Sequence, residues 1–272
     1  MNIFVLMLAA ATTSGLGALA GVGGAVLLVP FLVLSGMPVA VAAPLGLVSV
    51  AALSIAAAPT HLRHRVVNHR LGITTEVAAT AGAVVGALVS DVVPNQLLVY
   101  MLSAAALMAA LVGGRRKGLR NLPDPSLGPA DIGERIGSLG GAYPLGDHVV
   151  PYEVRRLRAG LGFMTIAGLI AGTAGVSGGF IKTPATSELM HVPTKVAAAT
   201  TTFTIGITAA AALSVFAVQG RIDTRSASAV ILGALGGSIL GARLQARMEP
   251  MKVRLGLSVV LVVVSIVMVV SA

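Results

Sequence analysis

The first 62 residues of the chain contain no aspartate, glutamate, lysine or arginine. A transmembrane helix needs about 20 mainly apolar residues, so this stretch is long enough for up to three crossings, and no soluble core requires such a run. The rest of the chain agrees, because 56% of its 272 residues are hydrophobic and 11% are charged, against about a quarter charged in soluble domains. The sequence therefore predicts a polytopic membrane protein.

The crossings are predicted to be helical. Only helices and closed barrels satisfy the backbone in lipid, and a barrel strand alternates polar with apolar residues. Residues 259–270 are apolar at every position but one. We therefore predict an all-α polytopic membrane protein with about 8–10 transmembrane segments, some of them broken helices.

The two halves of the chain repeat each other. Residues 21–30 align without a gap with residues 175–184, at an offset of 154, and four of the ten positions are identical. After one inserted residue the match continues with a Pro-x-x-Val-Ala-Ala motif and, later, with two glycines spaced four apart. These later matches are 38–43 with 193–198, Gly82 with Gly237, and Gly86 with Gly241. Internal duplication is a common construction of secondary transporters.

The repeat divides the chain into a first membrane repeat at 1–114, a hydrophilic Gly/Pro-rich linker at 115–158 and a second membrane repeat at 159–272. Lysine and arginine favour cytoplasmic loops. Five crossings per half would place 16 of them inside and two outside, with the second half inverted; four crossings would place 13 inside and five outside. We predict two inverted repeats and a cytoplasmic linker, with eight crossings in parallel repeats as the alternative.

Each half begins with a helix that is interrupted at the same point, at residues 21–24 and 175–179, and a proline follows each break. Backbone amides freed at membrane depth are tolerated only where protein or a cavity satisfies them. A helix that restarts after such a break aims free N–H groups and its positive dipole end at an anion. The predicted binding residues are Gly23, Gly24, Ala25, Ser177, Gly178 and Gly179, and the predicted hinges are Gly21, Pro30, Gly175 and Pro184. Close helix packing through paired small residues is the alternative.

Lys182 lies in the second break's helix, where the first half has Leu28. A lysine at bilayer depth costs about 2.5–3.5 kcal/mol on insertion scales, so it normally faces a cavity or a partner. The sequence leaves three environments open for it: a substrate anion, a pairing with Glu188, or the membrane surface. Thr200 and Thr201 begin a hydroxyl-rich helix and could donate to an oxyanion or bond back to their own helix.

The sequence carries no recognisable enzyme motif, and we predict no catalytic residue, no metal site and no cofactor. No carboxylate lies in the middle of an apolar block, since Glu76, Asp91, Glu188 and Asp223 are all near block ends. The basic residues, including those around His61, His64 and His69, form short clusters between apolar segments. Such clusters are typical of cytoplasmic loops and lipid headgroup contacts, and we predict no binding of nucleic acid.

The two breaks followed by Val-Pro or Thr-Pro, the Pro-x-x-Val-Ala-Ala continuations, the basic turn after the next helix and the stretch 143–152 resemble the sulfite exporter TauE/SafE family over nearly the whole chain. The resemblance implies transport of sulfite, of sulfonates such as sulfoacetate, and of related small organic anions across bacterial inner membranes. Many members have a longer glycine run at the first break, and Ser177 stands in the second break here.

We predict a multi-pass secondary transporter of the bacterial or archaeal cytoplasmic (inner) membrane, which exports a small sulfur-containing or organic oxyanion by alternating access between the repeats. Its predicted partners are the substrate anion and the lipid bilayer, and the sequence is compatible with a homo-oligomer. Two alternatives remain open: a membrane scaffold or assembly protein that transports nothing, and a passive anion channel.

Overall fold

The structure is a computed structural model of the chain, and it describes residues 2–20, 23–63, 65–113, 122–146, 148–245 and 250–270. Ten α-helices lie in this part of the chain, five before the linker and five after it. The first five are α1 (Ile3–Ala20), α2 (Ala25–Leu34), α3 (Val39–Arg63), α4 (His69–Val89) and α5 (Asn95–Gly113). The second five are α6 (Leu157–Ala174), α7 (Gly179–Pro184), α8 (Thr194–Val218), α9 (Thr224–Gln245) and α10 (Pro250–Val270).

Five of these helices are long and apolar enough to cross a membrane: α3, α4, α6, α8 and the Thr224–Leu244 part of α9. Four shorter apolar helices accompany them, namely Ile3–Ala18, α2, Asn95–Leu111 and Gly256–Val270. Large apolar side chains such as Ile55, Val77 and Leu232 are exposed on the outside of the bundle, which suits a lipid environment better than water. The chain is thus a mostly helical, polytopic membrane protein.

Helices of the two halves pack lengthwise through glycines. A Cβ atom on Gly237 would lie 1.9 Å from the carbonyl oxygen of Ala11, and one on Gly241 would lie 2.3 Å from that of Gly15. Both contacts advance by four residues along each helix, so α1 and α9 run parallel. Because only glycine allows backbones to approach this closely, these positions serve helix packing.

The α4–α6 pair repeats this geometry. A Cβ atom on Gly168 would lie 1.9 Å from the carbonyl oxygen of Ala79, and one on Gly172 would lie 2.1 Å from that of Ala83. The contacts again advance together, so α4 and α6 are parallel. The first helix of each half therefore packs against the fourth helix of the other half.

Helix α8 lies between α3 and α4. Ser54 of α3 donates a hydrogen bond to the carbonyl of Thr202, 2.8 Å away, while Leu47, two turns earlier, shares a cavity with Ala209, two turns later. These contacts make α3 and α8 antiparallel. By contrast, the pairs Asn68–Thr200 and Glu76–Thr208 are both 132 residues apart, so α4 and α8 run parallel.

The linker forms a small antiparallel sheet. Its Gly- and Pro-containing stretch at 140–152 predicts turns and one small hairpin, which the structure confirms, although the all-α fold class does not include it. The linker contains a short 3-10 helix, Pro129–Asp131, and three antiparallel strands, β1 (Gly133–Glu134), β2 (Gly141–Leu145) and β3 (His148–Tyr152). Strands can form here because the segment lies outside the apolar blocks, where hydrophobic length no longer dictates helix. Aromatic Tyr143 and Tyr152 pack against Leu71, Met164 and Val196 at the ends of α4, α6 and α8.

Polar contacts fix the linker to the helices. The side-chain amide of Asn68 donates to the carbonyl of Leu139 at 2.8 Å and to the Tyr152 hydroxyl at 3.0 Å. Burial raises the pKa of Tyr152 to about 12. We call this side of the bundle the linker end. At the opposite end, the Arg221 guanidinium donates to the Ser90 hydroxyl at 2.8 Å and to the carbonyl of Ala40 at 2.7 Å.

Candidate functional site

The chain turns back on itself at both breaks. In the first half a Cβ atom on Gly24 would lie 2.5 Å from the Cα of Ser14, although ten residues of continuous helix would separate these positions by about 15 Å. In the second half Gly178 lies in the same way against Ala167, whose carbonyl oxygen would be 3.1 Å from a Cβ atom on Gly178. Each break is therefore a tight reversal between two helices.

The two breaks contact each other. Gly23 has a φ of +89°, which favours glycine, and a Cβ atom there would lie 2.7 Å from both the Cβ and the Oγ of Ser177. The two residues are counterparts at the offset of 154. Gly23 and its neighbours Gly24 and Ala25 are buried, as is Ser177. The structure thus brings together the backbone of both predicted breaks.

Both helices that follow the breaks begin alike. The carbonyl of Gly24 accepts from the amides of Leu27 and Leu28, and the carbonyl of Gly178 accepts from those of Ile181 and Lys182. The first amides of a helix have no partner within it. One of them, the Gly179 amide, donates to the Ser177 hydroxyl at 3.2 Å.

The predicted hinges differ in their surroundings. Gly175 has a φ of +70°, and a Cβ atom there would lie 2.1 Å from the Cα of Ala43 on α3. Pro30 is buried inside α2. Pro184 ends α7, and one turn of π-helix, Ala185–Leu189, follows it directly. Gly21 lies outside the described residues.

Lys182 has a buried protein partner. Its ammonium donates to the two carboxylate oxygens of Glu76 at 3.1 and 2.9 Å and to the Thr208 hydroxyl at 2.6 Å. The Thr208 amide donates to Glu76 at 2.9 Å, and its hydroxyl donates to the same carboxylate oxygen. Lys182 and Glu76 are only 2% and 3% exposed. We call these three residues the charged cluster; its carboxylate is that of Glu76 and not that of Glu188.

Sequence reasoning missed Glu76 and Thr208. In the sequence, Glu76 follows a basic turn closely, so it is assigned to the end of an apolar block. Helix α4 begins at His69, however, and Asn68 caps it by accepting from the Leu71 amide at 2.8 Å. Glu76 therefore lies about 12 Å beyond the cap, well inside the bundle. The Asn68 cap is the sequence feature that could have placed it there.

A small cavity adjoins the charged cluster. It has room for about one water molecule and lies between α3, α6, α8 and the second break. Its polar lining comes from Ser177, the Gly178 backbone, Lys182 and Thr208, and its apolar lining comes from Leu47, Val50, Ala171, Val176, Ile205 and Ala209. A buried cation therefore lies beside a small space with a mixed polar and apolar wall.

The two predicted threonines lie nearer the linker end than Thr208. Thr200 accepts a hydrogen bond from the Asn68 amide at 2.9 Å. The methyl group of Thr201 would be 3.6 Å from a Cβ atom on Gly179. Thr201 therefore adjoins the second break, while Thr200 joins α8 to the start of α4.

Ser14 is a further residue that sequence reasoning missed. It is completely buried on α1, and its hydroxyl has no hydrogen-bond partner among the residues that the structure describes. A Cβ atom on Gly24 would lie 2.7 Å from that hydroxyl. Most buried hydroxyls are hydrogen-bonded, so an unpaired one at the start of α2 is available to a ligand.

The chain was compared with known proteins. A family model described as sulfite exporter TauE/SafE matches residues 6–268. The chain belongs to the TauE/SafE family. This confirms the resemblance of the sequence motifs. Its family membership and its apolar helices both show that the chain is a transmembrane transporter and not an enzyme.

A relative of this TauE/SafE protein is known from Bacillus subtilis (strain 168) under the name "Probable membrane transporter protein YunE". The two are 21% identical over 284 residues, which cover 97% of this chain and 96% of the relative. No solved structure matches the chain.

Proposed function

We propose that this TauE/SafE protein is a secondary transporter that exports a small oxyanion of sulfur, such as sulfite or a sulfonate. The observation that carries the proposal is the contact between Gly23 and Ser177 beside the cavity of Lys182. Two helix starts and the buried hydroxyls of Ser14 and Ser177 adjoin this contact, and the cavity that Ser177 lines is also lined by the buried cation Lys182. These are the groups that recognise a small oxyanion in the absence of water.

The anion is proposed to bind between the two breaks. On one side the free first-turn amides at Gly24 and Ala25 and the unpaired Ser14 hydroxyl would donate to it. On the other side Ser177, the backbone of Gly178 and Gly179, and the ammonium of Lys182 would do so, with Thr201 adjoining them. Thr200 is proposed to assist from further away, by holding α8 against α4.

The proposed mechanism is alternating access between two inverted repeats. Helix α3 and its counterpart α8 are antiparallel, and the α1–α9 and α4–α6 pairings are related by exchange of the halves, which supports an inverted relation. Two counterparts in direct contact, such as Gly23 and Ser177, are expected on the axis that relates the repeats. Rocking of one half against the other would expose a site on this axis to each side in turn.

The linker end is proposed to face the cytoplasm of a bacterial or archaeal cell. Arg63, Arg70 and Arg135 lie at this end, in the linker or next to it, and basic residues favour the cytoplasmic side of an inner membrane. Arg221 lies at the opposite end, where it is tied to α3 and to the end of α4. This orientation leaves the linker inside, as the charge count of the sequence predicts.

The test is anion flux through the purified full-length chain in liposomes, with sulfite, sulfate, methanesulfonate and acetate as probes. We expect saturable flux of at least one sulfur oxyanion. Lys182→Met should abolish it and Ser177→Ala should reduce it, whereas Lys195→Met, on the exposed first turn of α8, should not change it. Absence of flux for every probe would contradict the proposal and favour a scaffold, and non-saturating current would favour a channel.

Anion binding gives a second measurement. A ligand that binds only the native state raises its thermal stability. The detergent-solubilised protein should therefore unfold at a higher temperature with the transported anion than with acetate, and Ser177→Ala should shrink the difference. An equal response to all four probes would contradict a site that selects sulfur oxyanions.

A further inference from the structure

The buried carboxylate of Glu76 has no role in anion binding by itself, since it is itself an anion. We propose that Glu76 is the proton carrier of this transporter: the substrate anion takes the place of Glu76 at Lys182, Glu76 then binds one proton, and anion and proton cross the membrane together. The inference rests on the proposed transport function and adds its coupling to it.

The pair of Glu76 and Lys182 is isolated from other charged side chains. Glu76 contacts Lys182 of α7 and Thr208 of α8, and α6 packs against α4 next to it, at Ala79. Lys182 is the charged side chain that faces Glu76 from these elements in the part of the chain that is described. The other charged or titratable side chains of α4, α6 and α8 lie exposed in the first turns at the linker end, namely His69, Arg70, Arg158 and Lys195. Glu188 follows α7 on the π-helical turn and is half-buried. Lys182 is therefore the charge that directly balances the Glu76 carboxylate in the described part of the chain.

A bound anion would change the charge balance of the Lys182–Glu76 pair. Lys182 and Glu76 together are neutral, and each is hydrogen-bonded to Thr208. An anion that enters the adjoining cavity and pairs with Lys182 would leave two negative groups on one cation, away from water. Two anionic groups that share a buried site cannot both stay ionised. Glu76, which the anion has displaced from Lys182, therefore takes up a proton.

The proton binds to the Glu76 carboxylate. It passes from a hydronium ion of the solvent to a carboxylate oxygen of Glu76: one O–H bond of the hydronium ion breaks, the O–H bond of the carboxylic acid forms, and a water molecule is left. The neutral acid keeps a carbonyl oxygen that accepts from the Thr208 amide, now 2.9 Å away, so Glu76 stays hydrogen-bonded after it loses Lys182. When the anion leaves, Lys182 attracts the carboxylate again and the proton is released.

The stoichiometry follows from the asymmetry of the repeats. The counterparts of Lys182, Glu76 and Thr208, at offsets of 154 and 155, are the apolar residues Leu28, Ile231 and Leu53. The chain therefore has one such cluster, and we expect one proton per anion. A dianion such as sulfite then carries one net negative charge, so a membrane potential that is negative inside drives it outward.

The test is the pH dependence of methanesulfonate binding, because this probe stays ionised from mildly acidic to mildly alkaline pH. If Glu76 binds a proton with the anion, the dissociation constant should rise about tenfold per pH unit wherever Glu76 is ionised in the free protein and protonated in the complex. Glu76→Gln should bind methanesulfonate more tightly with no pH dependence. Glu153→Gln, an exposed carboxylate after β3, should behave as the wild type.

The number of protons carried with each anion can be measured in liposomes. With a pH-sensitive dye inside, methanesulfonate flux through the wild type should carry one proton per anion and no net charge, whereas flux through Glu76→Gln should carry no proton. Saturable flux without protons, or proton coupling that persists in Glu76→Gln, would overturn this inference and leave the transport function standing. Absence of binding and flux for all sulfur oxyanions would instead overturn the transport function.

A measurement on the unmodified protein covers the case in which Glu76→Gln fails to fold. The infrared difference spectrum on addition of methanesulfonate should show the C=O stretch of a newly protonated carboxylic acid, and Glu153→Gln should show it too. Its absence from the wild type, under conditions in which the anion binds, would overturn the proton-carrier role.

Discussion

The two halves of the molecule share one order of helices but differ in chemistry where their second helix begins. Both second helices start just after a reversal and are held by the same backbone hydrogen bonds from Gly24 and Gly178. Lys182 and Thr208 of the second half and Glu76 of the first half form the charged cluster, whereas the counterparts of all three are apolar. The pairs are Lys182 with Leu28, Glu76 with Ile231, and Thr208 with Leu53.

This difference separates two requirements of transport. Two alternating states of similar stability need a backbone that is alike in both halves, and that requirement constrains glycines and packing. Selection of an anion and its coupling need charges, and a single charged cluster is sufficient. Because a buried ion pair contributes little net stability compared with apolar side chains, we infer that the cluster is retained for function and that its apolar counterparts show what the site would be without it.

The largest effect should come from replacing members of the charged cluster by their apolar counterparts from the other half. Lys182→Leu alone leaves Glu76 buried without its cation, so we expect the free energy of unfolding to fall by about 3–5 kcal/mol. Lys182→Leu combined with Glu76→Ile should recover most of this loss, because apolar side chains replace a buried pair at little cost. Both variants should be inactive in anion flux.

The measurement is unfolding of the detergent-solubilised protein together with liposome flux. Lys195→Leu, at an exposed position of α8, is the control for loss of a lysine and should change neither result. Equal stability of the single and double variants would show that Lys182 and Glu76 are not coupled. The functional difference between the halves would then lie elsewhere.

The next effect tests the contact of the two breaks. Gly23 and Gly36 both have a φ of +89°, but only Gly23 would place a Cβ atom against another residue, Ser177. Gly36→Ala should cost about 1–2 kcal/mol of stability for the left-handed backbone. Gly23→Ala should cost that amount plus about 1–3 kcal/mol for overpacking.

A second substitution sharpens this comparison. Ser177→Gly in the Gly23→Ala protein removes both atoms that the new methyl group meets, so its stability should approach that of Gly36→Ala. The readout is again the free energy of unfolding. If Gly23→Ala and Gly36→Ala are equally stable, the breaks are not in contact and the proposed shared site is wrong.

The duplicated backbone could be predicted from the sequence, whereas the charged cluster could not. Gly-rich breaks with a following proline occur twice in register, and lipid leaves few ways to satisfy the amides they free. The sequence also indicated that Lys182 needs a partner. The identity of that partner depends on contacts between residues 106 and 132 positions apart, and hydropathy along the chain does not reveal which faces of α4, α7 and α8 meet.

The threonines of α8 are a second case in which the sequence does not reveal which helix faces meet. Six threonines lie on α8, which begins at Thr194, so the two predicted for the site, Thr200 and Thr201, lie almost two turns into the helix. In a helix, Thr204 and Thr208 share a face, and both are buried. Only the position of α8 relative to α4 brings Thr208, rather than Thr200, to Glu76.

A smaller effect is expected at the caps of α4 and α9, which are counterparts at an offset of 155. Asn68 accepts from the Leu71 amide at 2.8 Å, and Asp223 accepts from the Ser226 amide at 3.0 Å. Asn68→Ala should lower stability by about 1–2 kcal/mol for the lost cap, and it also removes the donors to Leu139 and Tyr152. Asp223 is exposed, so Asp223→Asn should have a smaller effect at neutral pH.

The caps also differ in pH dependence. Hydrogen bonds from Ser226 hold the pKa of Asp223 below its ordinary value of 3.8. Its contribution to stability is therefore complete above that value and is lost as the pH falls through the lower pKa of the folded state. The thermal midpoint of the wild type should fall towards that of Asp223→Asn in acid, while Asn68→Ala should show no such change relative to the wild type. A constant difference between wild type and Asp223→Asn would contradict the cap.

The smallest change in stability is expected at Ser14, whose buried, unpaired hydroxyl lies beside the start of α2. Ser14→Ala removes a buried polar group with no partner among the described residues, so stability should stay equal or rise by up to about 1 kcal/mol. Binding of methanesulfonate should weaken about tenfold, because a hydrogen bond to a charged group contributes about 1.5 kcal/mol. Ser49→Ala, whose hydroxyl donates to the Gly46 carbonyl at 2.7 Å, is the matched control and should leave affinity unchanged. Unchanged affinity in Ser14→Ala would mean that the first half offers the anion only its backbone, and that the side chains that bind the substrate come from the second half alone.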